Sequence, residues 1–268
     1  MRHQGHAERP NCDDAYDRRA SPPGTREASI AWTVPRPDDR ERVSELLVQA
    51  LPNATSETIE TLAGTARLSE VGPGDVVFRQ GETIPFTLVI RGYGAFRRTM
   101  TDGRQLVLSI ASPGWLVGHP GIAGRAASQD LVAITPTKVA RWSGTDVRAL
   151  VLADPGLAVS VIDVMARFWG ITIERLDGFI HQEARGRVLR VLATYADLFF
   201  SEPPVLPRTL LPGLVGTSRE MTGRVLRSLE AEGVISRVGR HGLRLLAPAA
   251  LEQPADATDT APCRLRWA

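Results

Sequence analysis

Cysteine is almost absent: Cys12 and Cys263 are the only two in 268 residues. Each lies in a stretch near one end without periodic apolar residues, so no disulfide framework is implied and a reducing compartment, the cytoplasm, is expected. Two thiols are too few for an iron–sulfur cluster, which takes about four. The N-terminus has no apolar h-region, and no uninterrupted apolar run approaches the length needed to cross a bilayer; neither a signal peptide nor a membrane partner is expected. No nucleophile stands beside a base, no metal-ligand spacing recurs, and no phosphate loop has the required context, so an enzyme is not expected. His3, His6 and Cys12 have no fourth ligand near them and are not read as a metal site.

Hydrophobic residues make up 43% of the chain, enough for two domains with real cores. The formal charge of +2 argues for nothing by itself. Its distribution says more: between Glu183 and Leu246 ten arginines face six carboxylates. A basic bias confined to that part fits attraction to nucleic-acid phosphates.

Residues 1–37 are rich in Arg, Asp, Pro and Gly and are expected to be a disordered extension; residues 249–268 read as an irregular tail. After residue 38, Val43, Leu46, Leu47, Ile59 and Leu62 predict short leading helices around a Pro52-Asn53 break. Short runs of β-formers follow: 68–71, 76–78, 87–91, 95–100, 106–110, 131–135 and 138–142. Turns such as Gly72-Pro73-Gly74-Asp75, Gly92-Tyr93-Gly94 and Thr101-Asp102-Gly103 separate them. Strands at this spacing predict a jelly-roll-like barrel within residues 38–153.

Asp154-Pro155 opens a long helix, with Asp as N-cap and Pro at its first position. Leu157, Val161, Val164, Phe168, Ile171, Arg175 and Gly178 step by three or four, close to a heptad seam. Such a stripe along residues 154–182 can pack on the barrel and on a second copy together, or be intramolecular core alone. Gly186 to Phe200 predicts the next helix, inside a domain spanning 183–248. The run from Leu206 to Val215 is expected to be helical too. Its Pro212 and Gly213 would cost about 3 and about 1 kcal/mol in a helix interior. Either this helix is short and kinked, or burial of Leu206, Leu211, Leu214 and Val215 holds it.

Beyond it, Met221, Val225, Leu226 and Leu229 give one apolar helix face, and Thr217 with Glu220 has the spacing of a capping box. Ser218, Arg219, Glu220 and Arg224 project from the other face. Arginine can pair bidentately with guanine O6 and N7, and a carboxylate accepts from cytosine N4, so this turn suits a major groove. Two short strands, 232–238 and 242–246, joined by Gly239-Arg240-His241, complete a winged helix-turn-helix.

Val215-Gly216-Thr217-Ser218-Arg219-Glu220, Gly223-Arg224-Val225-Leu226, Leu229-Glu230 and Gly233-Val234-Ile235-Ser236 closely resemble the cyclic-AMP receptor protein and fumarate-nitrate regulator (Crp/Fnr) family of bacterial transcription factors. Gly72-Pro73-Gly74-Asp75, Gln80-Gly81-Glu82 and Arg91-Gly92 resemble its effector domain. The resemblance implies an α+β chain: a cyclic-nucleotide-binding-like jelly roll, a dimerisation helix and a C-terminal winged helix. It implies a homodimer on double-stranded DNA with TGTGA-like half-sites, Arg219, Glu220 and Arg224 reading bases, and Thr217 and Ser218 capping the helix or touching phosphate. RNA polymerase is a candidate further partner.

One region departs from the family. Its cyclic-nucleotide binders hold ribose with the carboxylate of a Gly-Glu segment and phosphate with an Arg-Ser or Arg-Thr step. This chain has Gly118-His119-Pro120-Gly121-Ile122 and Ala127-Ser128-Gln129 there. Both charged anchors are gone, so cyclic AMP is disfavoured and the effector is unknown. Arg125 is either a displaced phosphate ligand or a loop arginine in water. His119 is either a ligand or sensor group or a bland loop histidine. The alternative function is a dimeric sensor or interaction module of the same family whose kinked first helix impairs DNA binding.

Overall fold

The computed structural model describes residues 32–252. The expected disordered extension, His3, His6, Cys12 and Cys263 lie outside the described residues, apart from the extension's last six positions. Two of those six are tied in: Thr33 bridges Leu68, and the Arg141 guanidinium stacks 3.4 Å from the Trp32 ring centroid.

The leading helices are α1 (Pro37–Ala50) and α2 (Ser56–Thr65). Strands β1 (Arg67–Val71), β2 (Val76–Phe78), β3 (Phe86–Arg91), β4 (Gly94–Thr99), β5 (Gln105–Ala111) and β6 (Leu116–Val117) follow. Helix α3 (His119–Ile122), β7 (Asp130–Ala133), β8 (Thr137–Trp142) and α4 (Gly144–Ala153) close the domain. Two antiparallel sheets, ordered β1-β8-β3-β6 and β2-β7-β4-β5, face each other as a jelly roll. The expected strands all form. Strand β6, two residues long, α3 and α4 have no counterpart among the predicted elements.

Val89 and Val139 of the first sheet meet Phe96 and Leu131 of the second in the barrel core. On the outer side of the first sheet, Leu88, Ala140 and Trp142 pack on Leu47 and Leu62 of the leading helices. The Trp142 indole donates 2.8 Å to the Leu62 carbonyl, so its one polar atom is satisfied inside that core.

Helix α5 (Pro155–His181) starts where Asp154-Pro155 predicts. One Asp154 carboxylate oxygen accepts from the Gly156 and Leu157 amides at 2.9 and 3.2 Å, while the other accepts from the Thr55 amide and hydroxyl, both at 2.9 Å. One side chain thus caps α5 and fixes the start of α2. Donation from Thr58 and Thr55 holds its pKa well below the usual carboxylate range. The stability it supplies is therefore fully present above about pH 4 and is lost as pH falls toward the depressed value.

The seam expected on α5 is corrected. Leu157, Val161, Val164 and Gly178 are buried, and Phe168 and Ile171 pack on the barrel core, so that stripe is intramolecular. A second stripe, Val159, Ile162, Ala166, Trp169, Ile173, Leu176 and Ile180, alternates steps of three and four and faces outward. Trp169 is 68% exposed, Ile162 62% and Ile180 64%. Two apolar stripes make α5 long and apolar enough to cross a membrane by length and composition, although only 22% of its most apolar window is buried.

The C-terminal domain holds α6 (Ala184–Thr194), α7 (Ala196–Phe199), α8 (Leu211–Val215), α9 (Arg219–Ala231), the β9 (Ile235–Val238) and β10 (Gly242–Leu245) hairpin, and α10 (Ala249–Glu252). The single helix predicted from 186 to 200 breaks at Tyr195 into α6 and α7. The expected tail instead opens with α10, whose Ala250 and Leu251 pack on this domain's core.

Pro212 does not kink a helix. A 3₁₀ turn, Arg208–Leu210, precedes α8, which puts Pro212 in the first helical turn, where no intrahelical donor is required of it.

Candidate nucleic-acid interface

Helices α8 and α9 meet at Gly216, whose φ of 69° and ψ of 37° are left-handed and favour glycine. Its N–H donates 2.9 Å to the Pro212 carbonyl, and the Thr217 N–H donates 3.1 Å to the same oxygen. The chain then extends at Ser218, which caps α9 by accepting from the Met221 amide at 3.1 Å. The capping-box expectation is corrected by one residue. With Ser218 as cap, Glu220 stands at the second helical position and does not reach back; it pairs forward with Arg224 at 3.0 Å. Met221 is 37% exposed, and Thr222, which donates its hydroxyl to the Ser218 carbonyl, is buried in its place. Val225, Leu226 and Leu229 form the buried face as expected.

Arg219, Glu220 and Arg224 are brought together on the exposed side of the first two turns of α9. Neighbouring ion pairs hold that helix. Arg185 of α6 grips Glu232 through two bonds of 2.9 and 2.6 Å, Ser228 donates to Glu232 at 2.7 Å, and Arg237 of the wing pairs with Glu230 at 3.3 Å. These links span up to 47 positions in sequence, so local reading could not find them. Arg219, Arg227 and Arg240, the last at the wing tip, are exposed with no ion-pair partner among the described residues.

At the barrel, the chain leaving β6 turns at Gly118 into α3. Phe168 reaches in from α5, its ring centroid 5.5 Å from Trp115, 6.3 Å from Phe96 and 5.3 Å from His119. Arg125 is exposed, while Ala127 is buried and the Ser128 hydroxyl donates to Gln129 Oε1. His119 is packed on Phe168, and its Nδ1 is buried without a hydrogen-bond partner among the described residues. Burial pushes its pKa below the ordinary value, so the ring is neutral at pH 7. The unfolded chain therefore takes up the proton first, and stability falls as pH drops below about 6.5. Thermal melts from pH 7.5 to 5.5 should show a smaller fall in midpoint for His119→Phe than for the unaltered protein. An identical slope would mean that this ring is not what responds.

Residues 68–154 match the family described as the cyclic nucleotide-binding domain, and residues 186–253 match the Crp-like helix-turn-helix domain. Over 199 residues the chain is 24% identical to the cAMP-activated global transcriptional regulator CRP of Salmonella typhimurium, covering 69% of this chain and 93% of that protein. Over 182 residues it is 29% identical to the Cyclic AMP receptor protein of Thermus thermophilus, covering 67% and 84%. Among solved structures, the c-di-GMP responsive global regulator CLP of Xanthomonas campestris superposes with a TM-score of 0.62 at 25% identity, covering 72% of this chain and all of that one.

Proposed function

The chain is a member of the Crp/Fnr family of DNA-binding transcription regulators, a family without enzymatic activity, and we propose that it works in the cytoplasm as a homodimer on a palindromic TGTGA-like site. The carrying observation is the exposed first two turns of α9, where Arg219 and Arg224 stand beside Glu220 with its carboxylate on Arg224. Arg219, Glu220 and Arg224 read bases in this proposal. The Thr217 hydroxyl contacts phosphate, and Ser218 caps the helix whose N-terminal dipole favours phosphate. The division into 38–153, 154–182 and 183–248 follows the same assignment of roles.

The outward stripe of α5 supports the dimer. Its steps of three and four match a two-helix seam, and a two-fold pair matches a palindrome. Pro212 in the first turn of α8 favours DNA binding over the reading of an interaction module with a disabled motif.

Cyclic AMP is not used in the family's usual way on this proposal. His119 stands where a carboxylate would take ribose, Ala127 stands where an arginine would take phosphate, and Phe168 fills the neighbouring space. An anion without its arginine there would be poorly paired, at a cost of several kcal/mol. Selection of sites from random duplex DNA without added ligand, with the winners titrated across salt and again with cyclic AMP or c-di-GMP, tests the reading. A palindrome with TGTGA-like halves, bound equally with and without cyclic AMP, is expected. Strict dependence on cyclic AMP would overturn the pocket assignment, and enrichment of no site would overturn the DNA assignment.

A further inference from the structure

The C-terminal domain is joined to α5 by more than the peptide chain. Near the end of α5, the Arg175 guanidinium donates through Nη1 to the Leu108 carbonyl of β5 at 2.7 Å and through Nη2 to the Leu214 carbonyl of α8 at 2.5 Å. One part-buried cation thus joins three elements: the helix proposed to pair with a second copy, the edge strand of the second barrel sheet, and the first helix of the helix-turn-helix. Bonds from a charged donor to buried carbonyls are strong, and an arginine holds them in fixed directions because its fork is planar. Arg175 interrupts the apolar spacing of α5 at the point where the two domains meet.

The surfaces under this clamp approach closely. A methyl at Gly213 would lie 2.8 Å from Val107 Cγ2 of β5, and Gly216 lies against the Phe179 ring of α5. Val107 and Ile110 of the barrel share one core with Leu211, Leu214 and Val215. Gly213, costly in a helix by propensity alone, is where α8 must touch the strand. Docking consumes none of the recognition side: Arg219, Glu220 and Arg224 all stay exposed.

We propose that Arg175 is a positioning residue for DNA recognition, clamping α8 to β5 and α5 so that the two recognition helices of a dimer keep the separation and tilt a palindrome demands. Half-sites lie about 34 Å apart, one helical turn, so a small rotation of either domain on α5 takes its helix out of register. This inference rests on the dimeric DNA-binding reading above.

The experiment uses the full chain on three duplexes: the selected palindrome, the same halves with the spacer changed by two base pairs, and a single half-site. Arg175→Met is expected to bind the palindrome about tenfold more weakly. It should bind the half-site as before, with an unchanged salt slope, and should lose most of its preference for the native spacer. Gly213→Ala, which improves helix propensity while pressing on Val107, should show the same loss; adding Val107→Ala should restore the preference. Hydrogen exchange without DNA should show α8 and β5 losing protection together in Arg175→Met while α9 keeps its own. Equal weakening on all three duplexes would make Arg175 a purely structural residue, and tighter binding would mean that docking restrains the domain instead of presenting it; either overturns the proposal. If the unaltered protein binds no duplex, the DNA-binding reading fails and this role falls with it, while the exchange result still decides whether the clamp exists.

Discussion

Trp169→Glu is expected to leave the chain folded but monomeric, and to reduce its affinity for a palindrome to that for a single half-site. The side chain is 68% exposed and sits in the middle of the outward stripe of α5, so its removal takes little from the intramolecular core. A tryptophan brings on the order of 200 Å² to a contact, an upper limit of about 5 kcal/mol per copy at ~25 cal/mol per Å². Two glutamates facing each other across a two-fold seam add desolvation and repulsion of several kcal/mol. Sedimentation at micromolar concentration reads the mass, circular dichroism reads the retained fold, and gel shift reads the affinity. A variant that still sediments as a dimer would place the interface on another face.

Arg224→Ala gives the second large effect. Loss of one bidentate base contact is expected to cost about 1 to 3 kcal/mol per half-site and to relax choice at one base pair in each half. The Glu220 carboxylate, which now accepts from Arg224 at 3.0 Å, would lose that partner and face the DNA alone, deepening the loss. Competition against palindromes substituted one base pair at a time reads the change. Equal weakening on every sequence with a shallower salt slope would make Arg224 a phosphate contact.

The strands of the barrel, the start of α5 and the buried face of α9 were legible because each is announced by residues adjacent in sequence: alternating β-formers between turns, Asp154 before Pro155, and Val225, Leu226 and Leu229 on one face. The N-cap was misplaced by one because Thr217 and Ser218 both carry hydroxyls. Only the left-handed Gly216, which holds Thr217 back against the Pro212 carbonyl, decides between them. Pro212 looked damaging because Leu206 to Val215 was read as one helix, whereas the 3₁₀ turn moves the proline to a position that tolerates it. On α5 the outward stripe obeys the same spacing as the inward one. Periodicity identifies two faces, but which of them covers the barrel depends on where Phe96 and Trp115 stand in three dimensions. Arg175 read as an interruption because its acceptors lie 67 and 39 residues away.

Phe168 and Trp169 are consecutive residues on different faces of α5, about 100° apart around its axis, one lodged among the barrel aromatics and the other facing out. Because α5 is a continuous helix, the two side chains turn together about its axis. In the proposed dimer, a molecule that displaced Phe168 by turning α5 would turn Trp169 with it, changing the crossing of the paired helices and the spread of the domains beyond them. On the same proposal the mechanics run backward: association of two copies that set the rotation of α5 would hold Phe168 in place and make the affinity of the barrel for such a molecule depend on protein concentration.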